Sequence, residues 1–329
     1  MPVPALFGTG IDSSTVENIM AQHLDTQNAL DSRLVAEVPR RIAVGVDGFS
    51  TGDDAAALGS ALAGASDADL ILVAIHPDPI VVLPPELGWK GMHEQAQRML
   101  SRTRRTLAPA GRTMVETDIS TARALARVAQ RERCDVLVLG SARGGATGQV
   151  TIGSATRQLL GHTACHLAIA PRGLSKAGPV DLRRIAVGYD GAPESRAALA
   201  LAARLSLLTG AELRVVAVVD DRLPGFAWGA MQLGKTVAVW DEVLEEGRAD
   251  LEREAQAATA WLEPAAVEVS AVFGSPAEIL HQVSETTDLL VIGSRRWGVV
   301  ARVLLGSTGE ALLHGARCPV LVAARPVEE

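Results

Sequence analysis

Arg41-Ile42-Ala43-Val44-Gly45-Val46-Asp47-Gly48 is written a second time, with one change, as Arg184-Ile185-Ala186-Val187-Gly188-Tyr189-Asp190-Gly191. A further pair of motifs follows each copy in the same order. Val138-Leu139-Gly140-Ser141 leads thirteen residues on to Gly153-Ser154, and Val291-Ile292-Gly293-Ser294 leads thirteen on to Gly306-Ser307. Two unrelated motifs duplicated in one order mark a tandem of homologous units rather than a chance recurrence of glycine. In each copy a continuous apolar run stops at Asp-Gly, as a strand buried on both faces stops at a turn.

Working outward, the 329 residues fit two domains of roughly 140 residues each. The chain divides into an N-terminal extension over 1–38, a first domain over 39–172, a linker over 173–182 and a second domain over 183–326. Gly173, Ser175 and Gly178 mark the linker. In the first domain strands are expected at Ile42–Val46, Leu70–His76, Met114–Thr117, Asp135–Gly140 and Leu167–Ala170. Helical stretches are expected at Ala55–Leu62, Met92–Leu107, Thr121–Arg131 and Ser154–Leu160. Pro77, Pro79, Pro84 and Pro85 argue against regular structure before Met92. The second domain repeats the series, with strands at Ile185–Asp190, Leu213–Val219, Val267–Val272, Leu289–Gly293 and Val320–Ala323. Its helices begin at Glu194, Val237, Pro276 and Ser307. Strands alternating with helices imply an α/β fold with right-handed crossovers and parallel sheets. Val16, Ile19, Met20, Leu24, Leu30 and Leu34 give the extension a loose helical stripe. It reads equally as a docking segment and as a half-ordered extension.

Composition narrows the function. Apolar residues make up 48% and aromatics 3%, the make-up of sheets covered by Ala-rich helices. A formal charge of −7 argues against a nucleic-acid partner, which needs a basic stripe. Arg102, Arg104 and Arg105 read as a solvated helix face. Three cysteines build no disulfide framework and read as buried thiols in a reducing compartment. The sequence shows no signal peptide and no stretch of membrane-spanning length, so a cytoplasmic protein is expected.

If strands one and four of each half are neighbours, Asp47 and Gly140 share a crevice at the carboxyl ends of the sheet, as do Asp190 and Gly293. Each Asp can accept from ribose hydroxyls or hold a metal-bound water. Gly140 and Gly293 let the backbone approach a ligand. Gly153-Ser154 and Gly306-Ser307 stand where helices begin, and free amides there suit a phosphate. Taken singly, an Asp-Gly is more often a turn former and a Gly-Ser a helix cap. Their matched duplication turns the balance towards a phosphorylated ligand.

Other constellations fail. The dinucleotide fingerprint, the Walker-type Gly-Lys-Ser/Thr and the Gly-x-Ser-x-Gly elbow are absent. His162 and His166 have a metal-like spacing only on a helix, whereas Ala164-Cys165 reads as the entry to a strand. Trp228, Trp240 and Trp297 suit either ligand shielding or packing between domains.

The pattern resembles the universal stress protein family, in the tandem two-domain form common in actinobacteria, over roughly residues 40–171 and 183–324. The marks are the opening Val-Gly-x-Asp-Gly together with Gly293-Ser294-Arg295, Leu304-Leu305-Gly306-Ser307 and Arg317-Cys318-Pro319-Val320-Leu321-Val322. Gly274-Ser275-Pro276-Ala277-Glu278 is a further mark, present only in the second half. The resemblance implies an adenine-nucleotide alpha-hydrolase-like fold. Two open five-stranded parallel sheets, ordered 3-2-1-4-5 with helices on both faces, would pair their last strands across a pseudo-two-fold. ATP-binding members use Gly-x-x-Gly, nine residues, then Gly-Ser/Thr. The resemblance therefore assigns Gly140, Gly153 and Ser154, and Gly293, Gly306 and Ser307, to the nucleotide. It assigns Asp47 and Asp190 to its ribose and metal, and the main chain of Ile75 and Val218 to its adenine.

The second Gly of Gly-x-x-Gly is Arg143 in one half and Arg296 in the other. Either the loop fails to close on a triphosphate, because arginine resists positive φ, or the guanidinium clamps a phosphate. The expected function is a nucleotide-dependent stress regulator or adaptor, with no catalytic residue and at most a very slow ATPase. Its cofactor is ATP, with Mg²⁺ as an optional companion. The implied partners are the nucleotide and an unidentified protein, with a pseudo-dimer inside the chain and a homodimer left open. The alternative is a scaffold that binds no nucleotide because Arg143 and Arg296 occlude the sites.

Overall fold

The computed structural model describes residues 38–77, 85–160, 163–220, 237–260, 262, 266–294 and 306–324. The stripe over 1–37, His162, Trp228, Arg296, Trp297 and the side chain of Trp240 lie outside them. The first half runs β1 (Arg41–Gly45), α1 (Ser50–Ser66), β2 (Asp69–His76), α2 (Pro85–Leu107), β3 (Arg112–Thr117), α3 (Thr121–Arg131), β4 (Val136–Gly140), α4 (Ser154–Leu159) and β5 (His166–Ala170). The second half repeats the series as β6 (Arg184–Tyr189), α5 (Pro193–Thr209), β7 (Glu212–Val219), α6 (Val237–Thr259), β8 (Val267–Phe273), α7 (Pro276–Val283), β9 (Leu289–Gly293), α8 (Ser307–Leu312) and β10 (Val320–Ala323).

The strands form a single ten-stranded sheet ordered β3-β2-β1-β4-β5-β10-β9-β6-β7-β8. Neighbours within each half are parallel, and each half has the expected order 3-2-1-4-5. The join is antiparallel, with Leu167 opposite Val322, Ala168 opposite Leu321 and Ile169 opposite Val320. Helices cover both faces, so the central strands are apolar on both sides. Ile42, Val44, Leu72 and Val138 pack with Leu58, Leu62 and Leu100 on one face. Ala43, Ile71, Leu137 and Ile169 pack with Leu125, Val128 and Leu159 on the other. Both clusters run across the join into the second half.

Two helices begin earlier than the sequence suggests. α2 starts at Pro85, because proline fits the first helical turn, where its missing N–H has no partner to lose. α1 starts at Ser50, and the weak helix formers Gly52, Asp53 and Asp54 are held helical by what they touch. Asp54 is fully buried, and its carboxylate accepts from Gly173 N–H (2.7 Å), Ser175 N–H (2.8 Å) and Ser175 Oγ–H (2.7 Å). These bonds fasten the segment after β5 to α1. Removing them leaves buried donors unpaired, so Asp54→Ala should lower unfolding free energy by about 3 kcal/mol. Denaturant titration measures it, and a loss below about 1 kcal/mol would rule out the anchor.

His166 stands at the join, and its Nδ1 accepts from Ala324 N–H at 2.9 Å, which requires a neutral ring. Burial pushes its pKa down to about 4, against an opposing pull from the Asp135 carboxylate. The unfolded chain therefore binds the extra proton first. The contribution is fully present above pH 6.5 and is lost as pH falls through 4, amounting to roughly 3 kcal/mol at most. Denaturation curves recorded across that window should flatten in His166→Gln, which keeps an acceptor but does not titrate. An unchanged pH dependence would count against His166. Burial also pushes up the pKa of the free thiols Cys134, Cys165 and Cys318, which disfavours their thiolate forms.

Candidate functional site

β1 lies between β2 and β4, so the winding direction reverses between β1 and β4. β6 lies likewise between β7 and β9. Asp47 and Asp190 leave the sheet at these points, beside Gly140 and Gly293. Each Asp-Gly is first a turn, since Gly48 (φ 80°) and Gly191 (φ 73°) are left-handed. Asp47 Oδ1 accepts from Phe49 N–H and Asp190 Oδ1 from Ala192 N–H, both at 3.1 Å. One oxygen of each carboxylate is thus spent on its own turn.

The reason for Gly140 and Gly293 differs from the one expected. A Cβ on Gly140 would lie 1.9 Å from the Thr51 carbonyl oxygen, in the first turn of α1. On Gly293 it would lie 2.5 Å from the Glu194 carbonyl oxygen, in the first turn of α5. These glycines admit a helix of the protein itself. Ile75 and Val218 sit one residue before the ends of β2 and β7, in register with Glu116 and Val272.

Gly153 and Gly306 behave otherwise. They precede α4 and α8 with φ of −86° and −77°, values open to any residue. A Cβ on Gly153 would meet only Ala142, at 3.8 Å, which is ordinary contact. Neither dihedral strain nor packing requires the glycine. Ser154 and Ser307 are exposed, and neither helix start has a side-chain cap. The serines are therefore not the caps that a Gly-Ser pair suggests, and the first amides of α4 and α8 lie outside the intrahelical bonding pattern.

Arg143 occupies the crevice rim of the first half. Its Nη2 is 3.4 Å from Asp47 Oδ2, with side-chain exposures of 61% and 41%, so the pair is a weak, solvated one. Its Cζ lies 3.5 Å from the centre of the Phe49 ring. The residue is not strained: among the described residues the only non-glycine left-handed ones are Asp67 and Arg133, and Gly148 (φ 77°) turns the Arg143 loop. That loop is tied by Ala142 N–H to Thr151 O (2.7 Å) and Gly145 N–H to Ala142 O (3.0 Å). Farther along, Val150 N–H and Ile152 N–H donate to Ala316 O (2.8 Å) and Leu313 O (3.1 Å) of the second half.

The sequence reading missed Phe49. Its one available signal was a large apolar residue directly after Asp-Gly, where the second copy has Ala192. It also missed Ser195, whose Oγ accepts from Asp190 N–H at 3.3 Å and donates to Ala192 O at 2.9 Å. His166 lies in strand β5, so the helical spacing that would let it share a metal with His162 does not arise. Among the described residues no group of three or more His, Cys, Asp or Glu is placed to hold a metal, and no helix is long and apolar enough to cross a membrane.

The model of the universal stress protein family matches residues 39–171 and 181–324, and the chain belongs to that family. Universal stress protein Rv2005c of Mycobacterium tuberculosis is 27% identical over 303 residues, covering 86% of this chain and 96% of its own. A universal stress protein of Mycolicibacterium smegmatis is 33% identical over 299 residues, covering 85% and 96%. The crystal structure of a universal stress protein from Archaeoglobus fulgidus has the same fold, with a TM-score of 0.61 at 18% identity over 87% of this chain and 98% of its own.

The two kinds of glycine make a direct prediction. Gly140→Ala forces a methyl group onto a helix carbonyl and should destabilise by about 3 kcal/mol, whereas Gly153→Ala should change stability by less than about 1 kcal/mol. Thermal unfolding compares them, and equal losses would mean that both glycines serve only packing.

Proposed function

We propose that the protein binds an adenine nucleotide, ATP in the first instance, and acts as a nucleotide-dependent regulator in the stress response. Gly153 carries the reading, because neither its φ nor a neighbouring atom accounts for a glycine at this uncapped helix start. A phosphate approaching the amides of that helix start does need the missing side chain. Gly306 has the same backbone angles. Asp47 and Asp190 would use their second carboxylate oxygens for a ribose hydroxyl or the water shell of Mg²⁺. The main chain of Ile75 and Val218 would border the adenine. Arg143 would stand at the rim, with Arg296 as its counterpart in sequence, and Ser154 and Ser307 would lie at the phosphates. The residues divide as 39–172 and 183–326, two halves of a pseudo-dimer, and the output is a change in surface read by a protein partner. Among the described residues no pair in the crevices is set as base and nucleophile, so turnover beyond a very slow ATPase is not part of the proposal.

A second reading, a scaffold without nucleotide, is favoured in the first half by the Arg143–Asp47 pair. Calorimetric titration of the purified chain with ATP and Mg²⁺ separates the two. Binding is expected, and Gly306→Val should weaken it at least about tenfold with the circular dichroism spectrum unchanged. Absence of heat at millimolar ligand would leave the scaffold.

A further inference from the structure

The two halves differ in the residue that precedes their first helix, Phe49 in one and Ala192 in the other. Phe49 is half exposed just ahead of α1, and the Arg143 guanidinium lies on its ring while bonding Asp47 Oδ2. In the second half Ala192 takes the position of Phe49 ahead of α5, so the ring on which Arg143 lies has no counterpart at that position. The floor differs too. Gly52 lies so close to Asp47 that an added Cβ would come within 2.7 Å of Oδ1. Ser195, at the matched position, instead receives the Asp190 N–H on its hydroxyl. In the first half, then, the carboxylate oxygen left over from the turn is already held by a cation that is itself braced on an aromatic face.

We infer that the first crevice carries its own closure, made of Arg143, Phe49 and Asp47, and that the second crevice fills with nucleotide first. This rests on the nucleotide-binding reading above. A ribose hydroxyl competes with the guanidinium for one carboxylate oxygen, and a ligand must part Arg143 from both partners before it enters. Each contact is exposed and weak, and the two together lower the apparent affinity of the first crevice by about tenfold, through the fraction of molecules that are open. Salt weakens the ion pair, so the disadvantage shrinks as ionic strength rises. Phe49 acts only through Arg143 and is a positioning residue.

Calorimetric titration of the full chain with ATP and Mg²⁺ tests this in four proteins: the native chain, Gly306→Val, Gly153→Val, and Gly306→Val combined with Phe49→Ala. The native chain should show two classes of site about tenfold apart. Gly306→Val should remove the tighter class, and Gly153→Val the weaker one. Adding Phe49→Ala to Gly306→Val should tighten the surviving site by about threefold, the share of the ring contact, while the salt-sensitive ion pair to Asp47 remains. Phe49 is exposed, so its replacement leaves the core intact, and circular dichroism verifies the fold of each variant. Two equal sites, loss of the tighter class in Gly153→Val, or weaker binding after Phe49→Ala would each overturn the closure while leaving nucleotide binding in place. Absence of heat in all four proteins overturns the nucleotide reading and the closure with it.

Discussion

Two backbone segments approach so closely at Gly140 that no side chain fits between them, and the molecule is built around that approach. The first turn of α1 rests its Thr51 carbonyl on the end of β4, and α5 rests its Glu194 carbonyl on β9 in the same way. Each helix is thereby pinned across the two strands between which the winding reverses. The Asp-Gly turn feeding that helix then has little choice of place. Gly45 and Gly188 add a second pin on the opposite face, where a Cβ would strike Leu139 and Leu125 in one half and Leu280 in the other. Strands one and four are held between helices on both sides by residues without side chains, and the crevice above them inherits their rigidity.

The antiparallel join matters for a different reason. Two separate five-stranded sheets would present four edges, and an open edge invites pairing with another chain. Joining β5 to β10 leaves only β3 and β8. β3 carries a charged fence, in which Arg112 meets Glu132 at 2.6 Å, Arg131 meets Glu116 at 2.6 Å and Arg127 meets Asp118 at 2.8 Å. The Arg123 and Arg127 guanidiniums hold the Asp118 carboxyl well below the usual carboxylate range. The arginines of these pairs are about half exposed, so the pairs add modest stability and also govern what can approach the edge.

Most of the architecture was legible because it is written in local chemistry. The repeated Ile-Ala-Val-Gly run can only be a doubly buried strand, and the alternation of elements forces parallel sheets. α3 was placed at Thr121–Arg131 and found there, its Ser120 cap accepting from Arg123 N–H. What stayed hidden depends on partners distant in sequence. Nothing local says that Asp54 meets residues 173 and 175, that the His166 ring accepts from an amide 158 residues later, or that Arg143 reaches across to Phe49. The glycines of the crevice show the same limit. Gly140 and Gly153 look alike in a motif, and only neighbours in space reveal that one yields to a helix while the other yields to nothing in the protein.

The side chains that differ between the halves change in sets. The one substitution in the repeated octapeptide, Val46 to Tyr189, comes with a Glu254 carboxylate that accepts from the Tyr189 hydroxyl at 2.8 Å and from Arg196 Nε at 2.9 Å. At the place of Arg196 the first half has Asp53, which accepts from Thr103 Oγ1 at 3.3 Å. Each half thus keeps the contact between its first two helices by its own chemistry, and each change is compensated nearby. The same freedom applied to the glycine before α4, where any residue could stand without strain. A helix start needed only for architecture gains most from Ser, Asp or Asn as its cap, not from Gly followed by an exposed hydroxyl. Both halves hold Gly there instead, which costs only about a few tenths of a kcal/mol and leaves the start of each helix without a side-chain cap.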